Sequence, residues 1–251
     1  MRFLNLTIAD DIPDSKTVWN FREQLIDLKL VDELFQLFLK ELELLNLIIN
    51  EGKIIDASFI EVPKQRNSRA ENNEIKSGNT PESFDKNSNK KSQKDLDARW
   101  TKKNNVSYYG YKNHVKVDAK SKLIVKYEVT DASVHDSQVL ENLLDEKDAD
   151  EDFSGDSAYS GENQRDIISQ KEMNDKTCKK GYRNNPLTEQ EISTNREKSR
   201  IRSRVEHVFG FMEGSMNGMN LYAIGIKRVE GLVGLMNLTY NMFRKIQIQT
   251  I

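Results

Sequence analysis

The sequence predicts an α/β domain: a mixed sheet flanked by helices, preceded by a helical segment and interrupted by a polar insertion. Three observations carry that expectation. KIIDASFIEV (53–62) is apolar on both alternating faces, as a strand in the middle of a sheet is. SYYGYKNHVKVD (107–118) and LIVKYEVTD (123–131) both alternate, and the short turn at 119–122 makes them a hairpin. Helical periodicity lies on either side, so the chain reads strand, hairpin, helix, strand, helix, the order of a layered domain with a mixed sheet.

Residues 15–29 predict the first helix, with Asp14 or Ser15 as N-cap and Trp19, Phe21, Leu25 and Ile26 at helical spacing. A second, over 31–50, carries Leu34, Phe35, Phe38, Leu42, Leu45 and Ile49 close to an i, i+3, i+4, i+7 stripe, and Gly52 ends it. Two helices cover one another only in part, so some of this apolar surface, including Trp19, Phe35 and Phe38, is expected to face a partner. These helices form a partial N-terminal region, 1–50, ahead of a main domain, 51–251. Within that domain, 63–97 is rich in Asn, Ser, Lys and Glu without an aliphatic pattern, and reads as a mobile polar insertion. After the hairpin come a helix over 134–144, a short strand ending at Gly155–Asp156, and a helix from about 161. A basic irregular stretch, 174–196, a helix over 197–212 and a last helical segment over 228–246 follow.

Composition narrows the function. Charged residues reach 31% and mean hydropathy is −0.71, and no apolar run is long enough to span a bilayer. Cys178 stands alone, which excludes an internal disulfide or a cysteine-built zinc site and points to a reducing cytoplasm. There is no Gly-x-x-x-x-Gly-Lys-Ser/Thr loop, so ATP is not indicated. The net charge of −2 hides strong segregation: 63–127 is net +9, 128–175 net −12 and 176–204 net +6. Basic blocks beside a carboxylate-rich one suit a polyanion-binding surface next to a cluster of acids. The basic stretch 86–127 interleaves Trp100, Tyr108, Tyr109 and Tyr111 with lysines. Strand alternation sends half of those aromatics to the core, leaving half for stacking on bases.

Three carboxylates stand out. Asp56 lies mid-strand, on one face with Ile54, Ser58 and Ile60, where an ionised group is costly unless compensated. Asp156, in DFSGDSAYSG, sits at a strand end. Glu206 is one residue off the buried stripe Ile201, Val205, Val208 and Met212 of its helix. Singly, each has an ordinary structural reading: a strand-end Asp forms turns, and Arg202 with Glu206 is a possible i, i+4 ion pair. Together they supply hard oxygen donors of the kind that bind Mg2+ or Mn2+, and two such ions can hold the attacking and leaving oxygens of a phosphodiester displacement.

The stretches IIDASFIEVPKQRNSR, DARWTKKNNVSYYGYKNHVKVD, YEVTDASVHDSQ, GDSAYSG, GYRNNPLTEQE, RSRVEHVFGFM and GLMNLTYNMFRK run in one order through the chain. In them the sequence resembles the DDE-type transposases of bacterial insertion sequences, within the insertion-sequence-five group, over about residues 10 to 245. The resemblance implies a ribonuclease-H-like catalytic domain with Asp56 on the first strand, Asp156 after the fourth and Glu206 on a later helix. It also implies catalysis by these three residues with two Mg2+ (or Mn2+) ions. The reaction is metal-dependent cleavage of double-stranded DNA at the element ends and strand transfer into a target, by a homodimer or higher oligomer. DNA contacts are expected from Arg202, Lys102, Lys103 and Lys112, and outer-shell support from His114, His135 and Asp136, although each histidine also reads as an ordinary hydrogen-bonded one. Arg202 and Glu206 match the family's helix signature, but its tyrosine and lysine positions are Ser199 and Glu213 here, a departure that bears on the usual lysine contact near the cleaved phosphate. In this family further helical sequence precedes the stretch that RFLNLTIADDIPDSKTVWNFREQL matches, so the chain is expected to lack its beginning. That leaves a second expectation: a truncated, impaired remnant that binds DNA or a full-length partner.

Overall fold

The computed structural model describes residue 7, residues 10–183 and residues 185–250. The remaining residues, and with them 2–6, 8 and 9 of the opening stretch on which the expectation of a missing beginning rests, lie outside the described residues. Strand β1 (Gly52–Glu61) runs through the sheet between β3 and β5, as its two apolar faces require. Strands β2 (Arg99–Lys103), β3 (Val106–Asp118) and β4 (Ile124–Asp131) form an antiparallel set in which β3 pairs β1, β2 and β4. Strands β5 (Asp152–Ser154) and β6 (Asn174–Asp175) run parallel to β1. The result is a mixed six-stranded sheet flanked by helices, consistent with a ribonuclease-H-like fold.

Strand β2 is absent from the sequence expectation, and the second aspartate therefore follows the fifth strand in the chain, not the fourth. Its signal was Asn104–Asn105, both left-handed at φ 50° and 64°. Asparagine tolerates that region, and two such residues in succession make a tight hairpin turn.

Helices α1 (Ser15–Asp27) and α2 (Leu30–Leu44) begin as expected, Asp14 accepting from the Thr17 N–H. Helix α2 ends short of Gly52, because Asn46 turns left-handed at φ 52° and the Leu47 N–H reaches back to the Leu42 carbonyl. Of the surface expected to await a partner, Trp19 and Phe21 are exposed, whereas Phe35 is buried and meets Tyr127 edge-on at 5.0 Å. Residues 63–97 are also not featureless. They form α3 (Arg69–Lys76), α4 (Glu82–Asp85) and α5 (Ser88–Ser92), anchored by buried Ile75 and Phe84. Isolated anchors on short helices leave no period to read. Asp95 closes this segment onto the sheet: it accepts from the Ala98 N–H and the Tyr111 hydroxyl, both on one oxygen, and from the Gly225 N–H on the other.

Beyond the hairpin come α6 (Leu140–Leu143), entered through a short 3-10 turn, and α7 (Glu162–Gln170). The basic stretch is helical sooner than expected. Helix α8 (Glu189–Arg202) starts at Thr188, which forms a capping box with Glu191, a T-x-x-E signal present in the sequence. Ser203 separates it from α9 (Arg204–Gly214), so the expected single helix is two. Helix α10 (Ile226–Gln249) closes the fold.

One core, with α2, α9 and α10, packs on the Ile54, Ile60, Val115 face; the other, with α6 and α7, packs on the Ile55, Phe153 face. Asparagines lock α10 in register. Asn237 and Asn113 bond reciprocally at 2.9 and 3.3 Å. Asn241 accepts from the Ile124 N–H and donates to its carbonyl, at 2.9 and 2.8 Å. All three side chains are fully buried, so losing one partner strands the other at a cost of about 1–3 kcal/mol.

Candidate active site

The sheet brings two of the three carboxylates side by side. Pairing of β1 with β5 ends at Ile54↔Ser154, and Asp56 and Asp156 each lie two residues further on, where the strands part. Asp156 caps a 3-10 turn at 157–159, one oxygen accepting from the Ala158 N–H at 2.8 Å. Asp56 Oδ1 accepts from the Ala57 N–H at 2.8 Å, and its other oxygen accepts from Arg202 at 3.1 Å. The third carboxylate joins through the same guanidinium: Arg202 also donates to Glu206 Oε1 at 3.2 Å. The Ser203 break between α8 and α9 keeps Arg202 and Glu206 one turn apart.

Burial raises the Asp56 pKa above its ordinary value; the Ala57 N–H and Arg202 oppose that, the Asp156 charge adds to it, and Lys103 pulls it down. An anion so placed gains from any nearby cation. The donor set therefore fits a hard divalent ion, with Arg202 standing where positive charge is called for. The spacing does not yet close around one: among the described residues no group of three acidic, histidine or cysteine side chains is gathered to hold an ion.

The other expected residues divide. Lys102 and Lys103 are exposed at the β2–β3 turn, with no carboxylate partner among the described residues. Lys112 takes a different place from the expected DNA contact. It is buried, donating to the Val134 carbonyl at 2.6 Å and to Asp136 at 2.7 Å, because those residues cover its side chain. Asp136 is accordingly the partner of Lys112. His135 is an exposed cap of the 3-10 turn at 136–139. His114 is fully buried on β3, with Nε2 2.9 Å from the Thr130 hydroxyl and Nδ1 without a hydrogen-bond partner among the described residues. It pairs with Ala57, on the face of the sheet opposite Asp56. Sequence reasoning missed Tyr159. Its hydroxyl is buried without a hydrogen-bond partner among the described residues, and burial first, then the charges of Asp136, Asp56 and Asp156, push its pKa up. Its position three residues after Asp156 was the available signal.

His114 makes acid stability testable. Burial lowers its pKa to about 4, with Asp136 opposing and Lys112 reinforcing the shift. An unfolded histidine takes up a proton below about 6.5, so between those values the unfolded chain binds more protons and stability falls as pH falls, by about 1.4 kcal/mol per unit at most. Urea unfolding of wild type should weaken between pH 6.5 and 4.5 by more than that of His114→Gln. Parallel acid losses would remove His114 as the cause.

A family model described as transposase DDE domain matches residues 50–242, from two residues before β1 into α10. No solved structure matches the chain.

Proposed function

Because the chain belongs to the transposase DDE domain family, whose members act on DNA and generally use divalent metal ions, we propose that Asp56, Asp156 and Glu206 are its catalytic residues, in an element of the insertion-sequence-five group. The observation that carries this reading is that Arg202 joins the carboxylates of β1 and α9, Asp56 and Glu206, while Asp156, two residues past the end of the β1–β5 pairing, lies beside Asp56. Asp56 and Asp156 would share the ions and Glu206 would complete their shell; Mg2+ fits the all-oxygen donor set, and Mn2+ is the close substitute. When bound, the ions supply polarisation of the scissile phosphate and a deprotonated nucleophile at neutral pH. The chain's own residues do the positioning. Lys102 and Lys103 meet the DNA backbone, and Arg202 turns its fork to a phosphate oxygen once the carboxylates have another cation.

The reaction has two displacements at phosphorus. Water attacks at the element end, its oxygen joining the 5′ phosphate while the 3′ oxygen leaves and takes a proton. That 3′ hydroxyl then attacks a target phosphodiester, giving up its proton as a target 3′ oxygen departs. The hydrolysis is downhill and the transfer exchanges one phosphodiester for another, so neither step needs ATP. Two element ends and one target call for two copies of the chain on DNA. No helix among the described residues is long and apolar enough to cross a membrane, and the reading places the protein with the cytoplasmic chromosome.

The test is incubation with Mg2+ and supercoiled plasmid, with and without the DNA that flanks this coding sequence. Cleavage and joining only with the flanks supports the transposase. Nicking without end dependence makes it a nuclease on the same fold, and binding without nicking makes this copy an impaired remnant.

A further inference from the structure

We propose that Phe59 and Tyr108, beside Lys103, form a stacking platform for an unpaired nucleobase close to the catalytic carboxylates. The inference rests on the DNA reading and deepens it. The two rings are stacked, centroids 4.1 Å apart and planes within 10°, and both are half-buried, so part of the pair stays open to solvent. They share a sheet face, since Phe59 pairs with Lys112, and Tyr108 lies on the same side of β3 two pleats along. Between them comes Gly110, at φ 145°, where a Cβ would stand 2.2 Å from the Ile60 carbonyl oxygen. With no side chain at that position, the rings can lean together over it.

Charge identifies the occupant. Lys103 Nζ lies 5.8 Å from the Phe59 ring centroid, and Lys102 and Lys103 are exposed at the turn. No acidic residue occurs between Asp97 and Asp118, and Lys112, 5.5 Å from the Phe59 ring, is already paired with Asp136, so the unpaired charge beside the rings is that of Lys103. That combination takes a base and its phosphate together. A paired base is already stacked inside its duplex, so only an unpaired one can use the platform. The distance is right: Phe59 is three residues from Asp56 along β1, about 10 Å at strand rise, within a nucleotide or two of the scissile phosphate. Alternation puts the two on opposite faces of β1, and Lys103, 5.8 Å from the Phe59 ring, lies on the Phe59 side. By contrast Tyr109 and Tyr111, on the other face of β3 from Tyr108, are buried in the core.

The test compares binding of a labelled single-stranded oligothymidine with that of a duplex of equal length, in Ca2+ to prevent cleavage. Tyr108→Leu should weaken single-strand binding roughly five- to hundredfold and duplex binding less than twofold, while Tyr108→Phe keeps both. Lys102→Gln with Lys103→Gln should weaken both ligands. Equal loss on both by Tyr108→Leu, or no loss, would overturn the platform while leaving DNA binding intact. Wild type that bound neither ligand would overturn the DNA reading itself. Photo-cross-linking of wild type to a 5-iodouracil oligonucleotide provides a readout independent of the variant's folding: a cross-link at Tyr108 or Phe59 supports the platform, and cross-links elsewhere alone refute it.

Discussion

Asp56→Asn, Asp156→Asn and Glu206→Gln should each lower DNA cleavage by at least about a thousandfold, on the several kcal/mol that bound ions contribute to such a transition state. Each should leave duplex affinity within about twofold, because that affinity comes from the basic segments. The amides keep the shape of the side chains and remove only the charge. In Asp56→Asn the new amide would still accept from the Ala57 N–H through its carbonyl oxygen, so loss of activity could not be laid to a collapsed strand. Stability gives an independent check at Asp56. Its pKa is raised, chiefly by burial, so the folded state penalises the ionised carboxylate. The stability linked to it is fully present below the unfolded pKa and is lost as pH rises through the folded one. Without metal, at neutral pH, Asp56→Asn should therefore melt no lower than wild type. Near wild-type cleavage by any one of the three variants would remove that residue from the catalytic set.

The positions of these carboxylates were largely legible in the sequence, and their mutual arrangement was not. A lone aspartate in a strand apolar on both faces is conspicuous because ordinary folding gives no reason for it; Asp56 on the central strand is that case. Asp156 was legible as a strand-end residue, although β5 is only three residues long. What the residues could not show was that Arg202 reaches across from α8 to Asp56, 146 residues away. The i, i+4 spacing with Glu206 gave only the local half of that pair. The misses share a cause. Helices α3 and α4 are each held by a single buried side chain, α5 by none, and β2 by a turn of two asparagines, so none of them carries a periodic signal. Lys112 failed as a surface cation for a related reason: residues 134–136 cover its side chain, and the half-buried acid that accommodates it, Asp136, lies 24 residues along the chain. Charge counted by segment cannot distinguish a lysine that faces DNA from one that neutralises the core.

Arg202 carries the other large expected effect. Its guanidinium occupies two of the three carboxylates, at 3.1 and 3.2 Å, so a divalent ion and Arg202 compete for the same oxygens. A unit charge pair at about 4 Å near a protein surface is worth up to about 4 kcal/mol. Glu206 is more than half exposed, which screens its share. Taking the lower part of that range, Arg202→Gln should bind Mn2+ at least about tenfold more tightly than wild type in the absence of DNA, as measured by calorimetry or by the free-Mn2+ resonance. Arg202→Lys, which keeps the charge but loses the two-pronged geometry, should fall between them. Adding Asp56→Asn to Arg202→Gln should abolish the gain, which ties it to this site. DNA binding should move the other way: Arg202→Gln would lose the phosphate contact proposed for it, so cleavage should fall even as metal affinity rises. A structural ion pair alone would not produce that opposition, since weakening the fold lowers both together. If Arg202→Gln bound Mn2+ no better than wild type, the guanidinium would not be holding the metal's place. The coupling matters for the reaction itself. A site whose carboxylates are released only when a phosphate draws Arg202 away loads its ions with DNA present, and so is guarded against activating water without a substrate.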